Sequence, residues 1–218
     1  VIAIPCNTAH AYIARIQSLL SIPIVNMLHE TMAYIADHYP AQKKKIGLLA
    51  TTGTIRTRVY HQAAQVVGCE LIVPDAEHQQ QVMAAIYGPQ GVKAGHTAGE
   101  CVTQLQSAMA SLVARGAEIL VLGCTELPLI MQQNAAYPIA GKTVVVIDPT
   151  EILARKCVSL ALAPLLGSEF LPKLDEGNIW LTIGLPQSSG LTNTKSIEQK
   201  VRATLLEYPE VKAVITHV

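Results

Sequence analysis

The sequence predicts an α/β chain with doubly wound parallel sheets. Short apolar runs of strand length alternate with stretches of helical periodicity from Val1 to Leu162. Two of the runs also end in matching corners. VIAI is followed by Pro5, Cys6, Asn7 and Thr8, and ILVLG at Ile119 to Gly123 is followed by Cys124 and Thr125. Each corner reads as strand, cysteine, threonine and the start of a helix. Open α/β sheets place ligands at the carboxyl ends of strands. A cysteine at the amino end of a helix there is expected to favour its thiolate. One such cysteine is ordinarily a small packing residue. Two matched corners with polar neighbours make Cys6 and Cys124 candidates for shared chemistry.

The elements follow in order. Val1 to Ile4 reads as a strand and Ala9 to Leu20 as a helix, with Ile13, Ile16, Leu19 and Leu20 on one stripe. Ile22 to Met27 is the next strand and His29 to His38 the next helix. Lys43, Lys44 and Lys45 form a solvated entrance to the buried strand Ile46 to Ala50. Thr51, Thr52, Gly53 and Thr54 follow it directly and offer hydroxyl and backbone donors to an anion. A helix at Arg56 to Val67, a strand at Glu70 to Val73 and a helix at His78 to Ile86 come next. Lys93 precedes a long helix from about Thr97 to Arg115, which Gly116 caps. Ile119 opens the second corner, and Glu126 to Gln132 can start a helix. Val144 to Ile147 is a further strand, and Pro149 to Leu162 a helix that packs back.

Composition narrows the function classes. Sixteen basic and sixteen acidic residues in 218 give a formal net charge of zero. That offers no footprint for nucleic acid or an anionic membrane. Half the residues are hydrophobic, enough for a substantial core. No apolar run is long enough to span a bilayer. Cys6, Cys69, Cys101, Cys124 and Cys157 lack disulfide or metal-ligand spacing, which fits free thiols in a cytoplasmic protein. Cys69, Cys101 and Cys157 lack the corner context and read as packing residues. His10, one turn after Cys6, is placed to tune that thiol. A Cys–His hydrolase needs only one nucleophile, so the duplicated corner argues against it.

IPCNTAH (Ile4 to His10) and LGCTELP (Leu122 to Pro128) resemble the paired signatures of the aspartate/glutamate racemase family. LATTGT (Leu49 to Thr54) and DPTEILA (Asp148 to Ala154) resemble two further segments of it, in the same order. Glu126 after the second Cys-Thr is similar to the aspartate-type branch. The resemblance implies two lobes with the site between them, Cys6 and Cys124 as acid and base, and no cofactor or metal. It implies substrate contacts from Asn7, Thr8, Thr51, Thr52, Gly53, Thr54, Thr125, Glu126 and Lys93, the last on a side-chain carboxylate. The partner is then a small amino acid or dicarboxylate, with a homodimer left open. Maleate isomerase-like chemistry and a non-catalytic carboxylate-binding remnant are the alternatives. In these terms residues 1–22 are a remnant of the first lobe, 23–131 the second lobe, and 132–161 a return segment. The incomplete first lobe leads to an expectation of impaired turnover.

The tail, 162–218, departs from that pattern. GSEFLPKLDEG (Gly167 to Gly177) and YPEVKAVITHV (Tyr208 to Val218) resemble a porter segment of resistance-nodulation-division heavy-metal efflux pumps. Periodicity gives it a strand at Asn178 to Leu185, a helix at Thr194 to Tyr208 and a strand at Val211 to Val218. It is expected to stand apart from the racemase-like core.

Overall fold

The computed structural model describes residues 1–40 and 45–162, with Gln199 and Ala203. The chain divides into two units, Val1–Glu169 and Phe170–Val218. The expectations for the tail lie outside the described residues, as does most of the lysine run. Lys45 is described and pairs with Glu70 at 3.5 Å.

A five-stranded sheet dominates the first unit, in the order β4 (Glu70–Ile72), β3 (Lys45–Ala50), β5 (Ile119–Gly123), β7 (Lys142–Ile147), β6 (Asn134–Ile139). The first four run parallel, and β6 closes the edge antiparallel to β7. Both faces of the sheet are covered. Leu48, Ala50, Ile119, Val121, Val145 and Ile147 pack into one core with Met32, Ile35, Tyr60, Ala63 and Ile152. Those partners belong to α2 (Met27–His38), α4 (Val59–Val66) and α7 (Pro149–Leu162). The alternate residues Leu49, Leu120, Leu122, Val144 and Val146 face the other way, onto Val82, Leu105, Met109 and Leu112. Those come from α5 (Ala76–Tyr87) and α6 (Glu100–Ala114). Successive strand side chains point to opposite faces, so uninterrupted apolar runs need a layer on each side.

A separate two-stranded parallel sheet joins β1 (Ile2–Ala3) to β2 (Ile24–Val25). Between them the expected helix Ala9 to Leu20 is broken. A 3-10 turn at Thr8–Tyr12 gives way to a short α1 (Ile13–Gln17). Of the expected stripe only Ile13 is buried, and Leu19 is 84% exposed. Periodicity suited the segment to a helix, but no described layer covers its far side.

Three further placements differ from the sequence expectation. The strand at 144–147, assigned to a segment returning to the first lobe, is hydrogen-bonded to β5 in the main sheet. Its run of buried valines suits a sheet interior. The strand expected to open the second lobe, at 22–27, pairs instead with β1. And β6 was not anticipated, because its residues are largely exposed and include Pro138. It belongs to a hairpin turned by Ala140 and Gly141, both at positive φ.

Leu48 is fully buried at the centre of the sheet. Leu48→Ala is expected to cost about 2–5 kcal/mol, read as a lowered midpoint in denaturant unfolding.

Candidate active site

The register of β3 against β5 sets Ala50 opposite Gly123. Thr51 and Cys124, each the next residue, therefore leave neighbouring strands at the same carboxyl edge, with strands about 4.8 Å apart. Thr51 then caps α3 (Thr52–Arg56), its hydroxyl accepting from the Thr54 N–H at 3.3 Å. Thus the expected anion loop is itself the start of a helical turn. The hydroxyls of Thr51 and Thr54 lie 3.1 Å apart, and those of Thr54 and Thr8 2.6 Å apart. Thr8 brings the first corner onto this loop. Gly53 lies close by, its Cβ position 3.7 Å from the Thr8 methyl. Thr52 turns away: its N–H donates to the Met83 sulfur at 3.3 Å and its hydroxyl accepts from Gln79.

A second tie runs through Asn7, whose Oδ1 accepts from the Tyr60 hydroxyl at 2.5 Å. Sequence reasoning missed Tyr60. The available signal was a tyrosine on an otherwise apolar helical face, whose hydroxyl needs a buried partner. Asp148 was also missed as a residue, although its segment was noted. It caps α7 by accepting from the Thr150 N–H at 2.8 Å, and burial pushes its carboxyl up.

The two cysteines sit in different surroundings. Cys6 is exposed and Cys124 is buried. The Cys124 thiol donates to Glu126 Oε2 at 2.8 Å, and the Thr125 hydroxyl donates to the same oxygen at 3.2 Å. The other oxygen of Glu126 pairs with Lys93 Nζ at 2.6 Å. Lys93 also lies 5.4 Å above the Tyr87 ring. The expectation of a favoured Cys124 thiolate is corrected here. Burial, and then the hydrogen bond and negative charge of Glu126, push the thiol up to about 12. In place of the expected helix there is only a 3-10 turn at Leu127–Leu129, too short for a useful helix dipole. Burial draws the Glu126 carboxyl upward, but the hydrogen bonds from Cys124 and Lys93 outweigh it and hold it low. The same pairing raises Lys93.

His10 does not touch the Cys6 sulfur. Its Nδ1 is 2.8 Å from the Cys6 carbonyl oxygen, and its Nε2 accepts from the Met27 N–H at 3.0 Å. Accepting at Nε2 leaves the proton on Nδ1, to be donated to Cys6. The ring is neutral, and burial lowers its pKa. Among the described residues no group of three His, Cys, Asp or Glu could hold a metal ion. No described helix is long and apolar enough to cross a membrane.

The two corners thus meet through Thr8 on Thr54 and Asn7 on Tyr60. Residues 1–157 match the family described as Asp/Glu/hydantoin racemase, and the chain belongs to that family. Residues 142–218 also match the AcrB/AcrD/AcrF family. A broad specificity amino-acid racemase, RacX of Bacillus subtilis (strain 168), is 32% identical over 164 residues, covering 74% of this chain and 65% of that protein. A glutamate racemase of Shewanella baltica (strain OS155 / ATCC BAA-1091) is 27% identical, with 73% and 55% covered. Among solved structures, an aspartate racemase homologue from Pyrococcus horikoshii OT3 superposes with a TM-score of 0.58 at 26% identity, covering 73% of this chain and 66% of that one. The Picrophilus torridus aspartate racemase shares the fold at a TM-score of 0.54 and 23% identity, with 73% and 61% covered. The chain thus spans between about half and two thirds of the length of these relatives.

Two outcomes test the site. Iodoacetamide at neutral pH should label exposed Cys6 well before Cys124. Glu126→Gln should speed Cys124 labelling by about threefold to tenfold, since a unit of pKa is a tenfold change in thiolate. Lys93→Met, which removes a cation, should slow it. The same sign for both variants would contradict the assignment, with mass spectrometry of the labelled peptides as the readout.

The second concerns His10. The folded chain holds this ring neutral while the unfolded chain protonates it near pH 6.5, so folding releases a proton there. Stability contributed above pH 6.5 is therefore lost as pH falls from that value toward the lowered folded-state pKa. Thermal melts from pH 7.5 to 5 should fall less steeply for His10→Gln than for the unaltered chain.

Proposed function

We propose that this chain carries the catalytic face of a cofactor-independent racemase for aspartate, with glutamate as the second substrate. The observation that carries the reading is the meeting of the two corners: Thr8 on Thr54 at 2.6 Å and Asn7 on Tyr60, beside the strand end that bears Cys124. Inversion at a carbon next to a carboxylate needs a base on one face and an acid on the other. In this reading Cys6 as thiolate takes the α-proton, leaving its electron pair spread into the substrate carboxylate. Cys124 as thiol returns a proton to the opposite face. Cys6 ends as thiol and Cys124 as thiolate, and proton exchange with solvent resets the pair. The reverse reaction starts from the opposite protonation state.

Cys124 suits the donor role in the resting chain, because burial and Glu126 keep it protonated. Glu126 accepts the hydrogen bond of that proton and occupies Lys93 until a substrate side-chain carboxylate competes for the ammonium. The spare donors among Asn7, Thr8, Thr51, Gly53 and Thr54, with the Thr125 hydroxyl once released from Glu126, would meet the charge that develops on the reacting carboxylate, where such bonds count most. A free thiol pair of this kind belongs to the reducing cytoplasm.

The test is α-proton exchange of L- and D-aspartate in deuterium oxide, followed by proton NMR and chiral chromatography. Deuterium should enter both enantiomers. Cys6→Ser and Cys124→Ser should each reduce inversion by at least about a hundredfold, within the range of general acid–base catalysis. Conversion of maleate without exchange of aspartate would replace the racemase reading with a dicarboxylate isomerase.

A further inference from the structure

Asn7 carries an unused donor in a buried place. The residue is 3% exposed, and its Nδ2 has no hydrogen-bond partner among the described residues. A buried amide N–H left unpaired is costly and calls for an explanation. Its orientation is set from the other end. Tyr60, fully buried on α4, commits its hydroxyl proton to Asn7 Oδ1 at 2.5 Å. With Oδ1 taken, the Nδ2 end is the one left over. The neighbouring threonines have a surplus of the same sign. Thr51, Thr54 and Thr8 carry three hydroxyl protons, while the chain they form contains two contacts between hydroxyls. One proton therefore remains to be donated elsewhere. An unpaired amide N–H and a hydroxyl chain with one proton to spare, joined through neighbouring Asn7 and Thr8, match an acceptor with two oxygens such as a carboxylate.

We propose that Tyr60 is a positioning residue, whose hydroxyl fixes the Asn7 amide so that Nδ2 donates to the substrate carboxylate alongside the threonine hydroxyls. This rests on the racemase reading for the identity of the substrate, but not for the carboxylate itself. Tyr60 touches no substrate; it acts through Asn7.

The experiment is calorimetric titration of succinate, a dicarboxylate without an α-amino group, into the full chain. The proteins are the unaltered chain, Tyr60→Phe, Asn7→Ala and the double variant, with aspartate exchange measured on the same samples. Tyr60→Phe and Asn7→Ala should each weaken succinate binding about tenfold, the scale of one hydrogen bond to a charged group. The double variant should bind no more weakly than Asn7→Ala alone. A merely structural Tyr60 would lower the melting temperature without this coupling. Unchanged affinity in Tyr60→Phe, additive losses in the double variant, or no succinate binding by the unaltered chain would each overturn the proposal. If Tyr60→Phe does not fold, side-chain amide NMR of the unaltered chain decides. Succinate should shift the Asn7 Nδ2 protons, and no shift overturns the proposal. Coupling without aspartate exchange removes the racemase reading and leaves Tyr60 in place. Exchange with Tyr60→Phe indifferent does the reverse.

Discussion

The close approach of β5 to β3 at Gly123 is the constraint on which the site depends. A Cβ on Gly123 would lie 2.6 Å from Leu48 Cδ1, 3.0 Å from the Ala50 Cβ and 3.2 Å from the Leu49 carbonyl oxygen. A glycine lets the two strand ends come together at this register without displacing Leu48 or crowding Ala50. The consequence runs straight to function. Ala50 and Gly123 are paired, so Thr51 and Cys124 emerge side by side. The hydroxyl chain and the thiol then share one edge of one sheet, with rigid strands behind both.

Burial and the Glu126 carboxylate both hold the Cys124 thiol protonated, and Lys93 pulls more weakly the other way. Lys93 alone would lower the thiol, but it reaches Cys124 through a carboxylate that it already neutralises. What the thiol meets directly is Glu126 at 2.8 Å, whose charge favours the protonated form. Its neighbours thus hold the cysteine as a thiol, and no helix dipole favours its thiolate. Glu126 links two duties in one side chain, holding the proton with one oxygen and the lysine with the other. Any anion that draws Lys93 away changes the field at Cys124 as well.

The main sheet was legible in the sequence because its strands are apolar on both faces, and a run such as ILVLG admits few other readings. The strand–Cys–Thr corners were legible because strand, break and helix signals fall in immediate succession. The chemistry of the second corner was misread from its helix. ELPLIMQ, Glu126 to Gln132, has the residues for a helix, but the chain turns once and leaves for β6. Local propensity does not record where the chain must go next. Tyr60 and the Asn7 contact were out of reach for a related reason. They join residues 53 positions apart, and nothing in either neighbourhood announces the other. Lys93 and Glu126 were each picked out for the substrate, yet their pairing with each other is a fact of folding alone.

The first corner differs from the second in what holds it. Cys124 stands at the end of a five-residue strand with neighbours on both sides. Among the described residues, Cys6 follows a strand of two residues that pairs only with another of two. So short a sheet has little stability of its own. What fixes Cys6 is a set of side-chain bonds: His10 between its carbonyl and Met27, Asn7 to Tyr60, and Thr8 to Thr54. Each is worth about 1 kcal/mol net. A few such bonds can select one position without making it rigid. The acid of the proposed pair is therefore held by the sheet, while the base is held by polar contacts drawn from three other elements. Geometry at a reacting centre matters steeply, with about 1 Å of misplacement costing on the order of a hundredfold. Loss of these contacts would thus disturb the Cys6 side of the reaction before it disturbed the Cys124 side. In such a fold the competence of the site is decided less by the core than by how firmly the first corner is tied to it.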